Sequence, residues 1–154
     1  MLSWLDVLAI TAAALATAYG VRRGGGLLLA LPIAAVIYWF GLDYVPSPPW
    51  LIALGLVSGL LASLVSGLLP LRIPYKLNGL LGGVAGFFWG AVLAVGLWVG
   101  LPSEYSPATG AIRYPALDTP PLIQKAVASS TLAPRVFELV WRNRLARKFF
   151  LGSE

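Results

Sequence analysis

The sequence offers few side chains that could carry out chemistry. It contains no histidine and no cysteine, so it lacks the commonest general base and every thiol-based redox or metal-binding group. Three serines, Ser58, Ser63 and Ser66, lie in an apolar stretch that has no basic residue. A serine without an activating base is a poor nucleophile. We therefore expect no catalytic residue, no metal site and no cofactor.

Asp6 stands at the start of the first apolar stretch, and it has two interpretations. In the first turn of a helix, a carboxylate stabilises the positive end of the helix dipole. At the end of a membrane span, an acidic side chain can instead line a pore mouth or contact a partner protein. The first interpretation is favoured, and the second makes Asp6 a candidate functional residue.

The composition predicts that lipid surrounds most of the chain. Hydrophobic residues make up 58% of the sequence and charged residues only 11%, whereas soluble domains carry roughly 25% charged residues. About 20 mainly apolar residues of helix cross a bilayer core. Four segments meet this requirement: 4–21, 24–42, 50–69 and 79–101. We predict an all-α polytopic membrane protein, with a four-helix transmembrane bundle over residues 1–101 and a tail over residues 102–154.

Basic residues in the short loops predict the orientation of the spans. Arg22 and Arg23 follow the first span, and Arg72 and Lys76 precede the fourth. Loops rich in lysine and arginine stay in the cytoplasm, so both of these loops should be cytoplasmic and both chain ends outside. The positive pair follows the first apolar stretch, the reverse of a signal peptide, so this stretch should be a retained span. Asn78 is expected to cap the fourth helix.

The tail combines a proline-rich loop with two helical patterns, at 122–128 and at about 134–150. In the second pattern four apolar residues recur every four positions: Phe137, Trp141, Leu145 and Phe149. An amphipathic helix with basic residues is typical of a membrane surface. We predict an interfacial tail helix. It lies on the outer side of the membrane if the basic residues next to the spans determine the orientation.

Small residues at a spacing of four suggest close helix packing. Two groups show the spacing best, one in the fourth span and one in the third: Gly82, Gly86 and Gly90, and Gly55, Gly59 and Gly67. Small side chains let helix backbones approach closely in membranes. The spacing fits packing within one subunit and also fits oligomerisation, and the sequence leaves both open.

Four motifs, in order, resemble the colicin V production protein (CvpA) family. The first is Trp4-Leu5-Asp6, which leads into a span. The second is Tyr19-Gly20-Val21-Arg22-Arg23-Gly24. The third is Lys76-Leu77-Asn78-Gly79-Leu80-Leu81-Gly82, where the family usually has an Asp-Arg pair at the positions of Asn78-Gly79. The fourth is Ser130-Thr131-Leu132-Ala133-Pro134.

The resemblance implies a multi-pass protein of the bacterial inner membrane that assists colicin V production or export, or envelope homeostasis. Together with the glycine spacing, it suggests a non-enzymatic protein that forms a homo-oligomer, with a channel-like unit as one form. The alternative is a membrane scaffold that recruits an envelope or export partner through its tail. An ion-coupled transporter is disfavoured because the spans lack carboxylates. The net charge of +5 comes without a nucleic-acid-binding motif, so no such partner is expected.

Overall fold

The computed structural model of the chain describes residues 2–44, 49–68, 74–106 and 111–151. Within these residues the fold is all-α apart from one short hairpin. The bundle consists of four long helices: α1 (Trp4–Arg23), α2 (Gly26–Gly41), α3 (Pro49–Leu68) and α4 (Tyr75–Val99). The tail contains two strands and three helices: β1 (Glu104–Ser106), β2 (Ala111–Arg113), α5 (Pro121–Ser129), α6 (Ala133–Arg142) and α7 (Arg144–Leu151).

In the part of the chain that the structure describes, four helices are long and apolar enough to cross a membrane. Their mean hydropathy lies between 1.5 and 2.2. These helices confirm the predicted all-α, multi-pass membrane architecture. Pro32 lies inside α2, and a short 3-10 turn over Leu42–Tyr44 follows that helix.

The closest packing in the bundle is between α1 and α4, which run in opposite directions. A Cβ added at Gly86 would lie 2.3 Å from the carbonyl oxygen of Ala16. A Cβ added at Gly20 would lie 2.1 Å from the carbonyl oxygen of Gly82. Real Cβ atoms do not approach this closely, so glycine is required for the two backbones to touch. Helix α2 packs mainly on α3, and the two pairs join through α2 and α4.

The connection from α1 to α2 is a tight turn. Gly24 has a φ of 81°, a left-handed conformation that glycine adopts without steric cost. The side chain of Asn78 accepts a hydrogen bond at Oδ1 from the backbone N–H of Gly25, at 2.7 Å. The predicted capping role of Asn78 is wrong, because α4 begins at Tyr75, after Pro74. Asn78 instead ties the first turn of α4 to the α1–α2 connection.

The tail differs from the expected single amphipathic helix. Asn143 has extended backbone angles, and its Oδ1 accepts hydrogen bonds from the backbone N–H groups of Leu145 and Ala146. An asparagine that satisfies these donors begins a new helix, so the predicted 134–150 helix is divided into α6 and α7. The predicted loop after the fourth span contains the antiparallel strands β1 and β2, with Glu104 opposite Arg113.

The tail packs on one end of the bundle. Phe137 and Val140 of α6 are buried against Val99 at the end of α4. On α7, the ring of Phe149 lies 4.7 Å from the ring of Tyr38 in α2, measured between centroids. Much of the apolar stripe predicted to contact lipid therefore contacts the bundle. Leu145 differs, with 74% of its surface exposed.

Replacing Gly86 by alanine should loosen the contact between α1 and α4. The added methyl group would overlap the Ala16 carbonyl, and overpacking costs about 1–3 kcal/mol. We expect a lower free energy of unfolding for Gly86→Ala, measured by denaturant titration in mild detergent. Gly96→Ala is the matched control, because a Cβ there meets nothing within 4 Å and both changes raise helix propensity equally. Equal stabilities of the two variants would contradict the packing.

Candidate functional site

The carboxylate of Asp6 is fully buried although it belongs to the first turn of α1. It forms a capping box with Ser3: the backbone N–H of Ser3 donates to Asp6 Oδ2 at 3.0 Å, and the backbone N–H of Asp6 donates to the Ser3 hydroxyl at 3.3 Å. This arrangement confirms the interpretation of Asp6 as a first-turn acid. A side chain without exposed surface does not fit a role at a pore mouth or in direct contact with a partner.

Two side chains from distant parts of the chain donate hydrogen bonds to Asp6 Oδ1. The indole Nε1–H of Trp98, near the end of α4, donates at 3.1 Å. The hydroxyl of Ser130, between α5 and α6, donates at 2.6 Å. The carboxylate therefore joins the start of α1, the end of α4 and the middle of the tail.

Hydrogen bonds, without a cation, compensate the burial of this carboxylate. Among the described residues, no basic side chain lies within 4 Å of Asp6. Burying an unpaired carboxylate is costly unless several donors replace its water. Three donors and the positive end of the α1 dipole provide that compensation here. The carboxylate is inaccessible to a substrate. Its role is structural, because it holds separate elements together by hydrogen bonds.

Ser130 connects the carboxylate to the start of α6. While its hydroxyl donates to Asp6, its Oγ accepts the backbone N–H groups of Leu132 at 3.2 Å and Ala133 at 2.9 Å. These donors lie at the helix start, where amide groups have no partner within the helix. One hydroxyl thus begins α6 and attaches it to the bundle.

Tyr114 forms a second contact between the tail and α4. Its hydroxyl donates to the carbonyl of Trp98, and its ring stacks on Phe137 with centroids 4.0 Å apart. Burial raises the pKa of the Tyr114 hydroxyl, so it stays protonated and remains a donor. We call the group Asp6, Trp98, Tyr114 and Ser130 the tail clasp.

The opposite end of the bundle carries the predicted basic anchors. Arg22 and Lys76 are exposed there, and Arg72 lies outside the described residues. Arg23 donates from Nε to the Tyr19 hydroxyl at 2.9 Å. That hydroxyl shares a further hydrogen bond with the hydroxyl of Ser63, at 2.5 Å. This chain of contacts links α1 to α3.

The serines of α3 bind the helix backbone or Tyr19. The Ser58 hydroxyl donates to the carbonyls of Leu54 and Gly55, and the Ser66 hydroxyl donates to the carbonyl of Ser63. Such bonds satisfy hydroxyl groups that would otherwise be unpaired in an apolar surrounding. The three serines therefore have a packing role in this arrangement.

The six predicted packing glycines all face other parts of the same chain. Gly82, Gly86 and Gly90 lie against the backbone of α1. On α3, added Cβ atoms at Gly55, Gly59 and Gly67 would meet Leu93, Trp89 and Arg23. These positions favour packing within one subunit, so the glycine spacing no longer motivates an oligomeric pore.

Sequence reasoning identified Asp6 but missed its partners. Trp98 is expected from its position to lie at a membrane interface, and nothing in its surroundings signals a hydrogen bond to residue 6. Ser130 does carry a signal, because a serine shortly before Pro134 is typical of a helix start. Tyr114 carries none, since it lies among prolines in a segment interpreted as loop.

Comparisons of the chain with protein-family models, with curated proteins and with solved structures gave no match. Three features of the chain bear on its function: the bundle, the tail clasp and the charges at the two ends. Of these, the clasp gives the most specific geometry.

Replacing Asp6 by alanine should release the tail from the bundle. The Ser130 hydroxyl of the tail would lose its acceptor, and a hydrogen bond to a charged group contributes about 1.5–3 kcal/mol. We expect amide hydrogen exchange in α5 and α6 to rise at least about tenfold, the factor for about 1.4 kcal/mol. Mass spectrometry of the protein in mild detergent would measure it.

Asp43→Ala is the matched control for this change. Asp43 is exposed in the turn after α2, at the same end of the bundle, and its loss removes one carboxylate without touching the clasp. Amide hydrogen exchange in α5 and α6 of Asp43→Ala should equal that of the unmodified protein. Similar exchange in Asp6→Ala and Asp43→Ala would show that the carboxylate does not hold the tail.

Proposed function

We propose that the protein is a non-enzymatic, multi-pass scaffold of the bacterial inner membrane. It assists colicin V production or export, or envelope homeostasis, by presenting its tail to a partner protein of the export or envelope machinery. The family resemblance suggests the setting, and the tail clasp is the observation that carries the scaffold role. Asp6 holds the tail to α1 through Ser130, and Tyr114 holds it to α4 through the carbonyl of Trp98.

A fixed tail suits partner recruitment because little ordering entropy remains to be lost on binding. The apolar residues Phe137 and Val140 are used in the contact with α4, so α6 presents its opposite face outward. That outer face includes four exposed residues: Arg135, Glu138, Leu139 and Arg142. Leu139 is 69% exposed at its centre.

Charge on the outer face of α6 is partly neutralised. Arg142 and Glu138, one helical turn apart, form an ion pair at 2.5 Å, and both side chains are more than half exposed. An exposed pair of this kind contributes little to stability. Because Arg142 and Glu138 neutralise each other, Arg135 and the apolar Leu139 are the features that a partner with an apolar, acidic surface would recognise.

We infer the side of the membrane from the basic residues in the short loops. The exposed Arg22 and Lys76 lie at the end opposite the tail. By the rule that basic loops stay in the cytoplasm, the tail faces outward, where envelope partners bind.

Single cysteines at the two ends would measure the orientation, because the chain contains no cysteine. Asp118 is exposed in the tail and Arg22 is exposed at the opposite end. In intact cells, an impermeant maleimide should label Asp118→Cys, and it should label Arg22→Cys only after lysis. Three basic residues, Arg23, Arg72 and Lys76, still define the cytoplasmic end of the second variant. Labelling in the reverse order would invert the orientation and place the partner in the cytoplasm.

Leu139→Glu should abolish partner recruitment while leaving the fold intact. The change places a charge at the centre of the proposed contact, and buried unpaired charge is strongly unfavourable. In cells lacking the native gene, we expect this variant to fail to restore growth under detergent stress. Leu122→Glu, on α5, is the control because Leu122 is 70% exposed but lies outside α6.

A photo-cross-linking residue at position 139 should capture one discrete partner, and the same residue at position 122 should not. Full restoration of growth by Leu139→Glu, or by a chain that lacks residues 102–154, would refute a scaffold role for the tail.

A further inference from the structure

An apolar cleft of about 350 Å³ opens between α1 and α3. Leu15 of α1 and Leu60 of α3 form its walls, Ala34 and Trp89 line its floor, and Tyr19 closes one end. Leu15 is 66% exposed and Leu60 is 60% exposed, so the cleft is open along the lipid-facing side of the bundle. Its volume lies within the usual range of ligand pockets, about 300–1,000 Å³.

The cleft results from the pairing of the helices. Helix α1 packs on α4, α3 packs on α2, and α1 and α3 touch only slightly. The hydrogen bond between Tyr19 and Ser63 holds the two helices at a fixed separation at one end. The gap is therefore a built feature of the bundle.

On α1, the cleft lies toward the end of the helix that carries Arg23. Its lining on α1 extends from Ala12 to Tyr19, which at 1.5 Å per residue is about 10 Å. One leaflet contributes about 15 Å of the hydrocarbon core. Three of the four lining residues on α1, Leu15, Ala16 and Tyr19, lie in the half of the helix nearest Arg23, and the lining on α3 and α4 reaches the middle of those helices.

A basic side chain stands at the end of the cleft. The Arg23 guanidinium lies 5.6 Å from the centroid of the Tyr19 ring, held by the hydrogen bond from Nε to the Tyr19 hydroxyl. Among the described residues, no carboxylate lies within 4 Å of Arg23. Its terminal nitrogens are therefore available to an anionic group at the membrane interface, and arginine suits phosphate geometry.

We propose that this cleft is a lipid-binding site that holds one acyl chain of an anionic phospholipid, with the lipid phosphate at Arg23. An apolar cavity stays dry, so water does not fill it. Hydrocarbon chains of the surrounding leaflet have the right length and chemistry to do so. The unneutralised charge of Arg23 selects an anionic headgroup. The site involves neither the tail nor the clasp, so it is independent of the scaffold role.

Native mass spectrometry would test the site on the full chain, reconstituted with equal amounts of phosphatidylglycerol and phosphatidylcholine that carry identical acyl chains. We expect one phosphatidylglycerol retained per chain. Ala12→Phe fills the cleft and should reduce retention about tenfold or more. Ala14→Phe is its matched control, on the same helix but exposed and outside the lining.

Arg23→Gln should remove the preference for phosphatidylglycerol while an acyl chain is still retained. Arg22→Gln, which removes the neighbouring exposed charge, should leave the preference unchanged. The comparison of Arg23→Gln with Arg22→Gln tests the proposal even if Ala12→Phe fails to fold, because it measures the preference for a headgroup and not the stability of the protein.

Three results would overturn the proposal. One is equal retention in Ala12→Phe and Ala14→Phe. Another is equal retention of the two lipids by the unmodified protein. The third is a lipid-free dimer that Ala12→Phe dissociates and Ala14→Phe does not, because a second copy would then cover the cleft.

Discussion

The close approach of α1 and α4 is the constraint on which the rest of the structure depends. Glycines and alanines bring the two backbones into contact, as at Gly20 and Gly82. Because the helices run in opposite directions, this contact brings the start of α1 beside the end of α4, where Asp6 meets Trp98. At the other end it brings Asn78 beside the α1–α2 turn. Both polar contacts follow from one apolar interface, since neither could form if the helices were separated by larger side chains.

The same interface determines where the bundle is open and where it is closed. Because helix α1 packs on α4, a gap remains between α1 and α3. Tyr19 and Ser63 bridge this gap only at the end of the bundle that carries Arg23. At the end with the tail, α6 and α7 cover the ends of α4 and α2. The molecule thus has one end fastened by buried hydrogen bonds and one end with exposed cations beside an apolar cleft. The proposed scaffold role uses the first end, and the proposed lipid site uses the second.

The spans were predictable because their signal is local. A stretch such as 50–69 is apolar throughout, and the helix Pro49–Leu68 follows from that alone. The tail was less predictable because its helices depend on contacts far along the chain. The periodicity of Phe137, Trp141 and Phe149 indicated an apolar face, but it could not show that α4 and α2, and not lipid, are the surfaces that this face contacts. The break at Asn143 has a local cause that the regular periodicity masked.

Asp6 and Asn78 show why one polar anchor requires a charge and the other does not. Asn78 accepts one hydrogen bond, from Gly25, and an amide oxygen is sufficient for that. Asp6 faces donors on both of its oxygens, from Ser3 on one and from Trp98 and Ser130 on the other. An amide at position 6 would place its NH₂ group against a donor, whichever way it turned. The clasp therefore requires a carboxylate, and the hydrogen-bond pattern explains a buried charge that has no cation beside it.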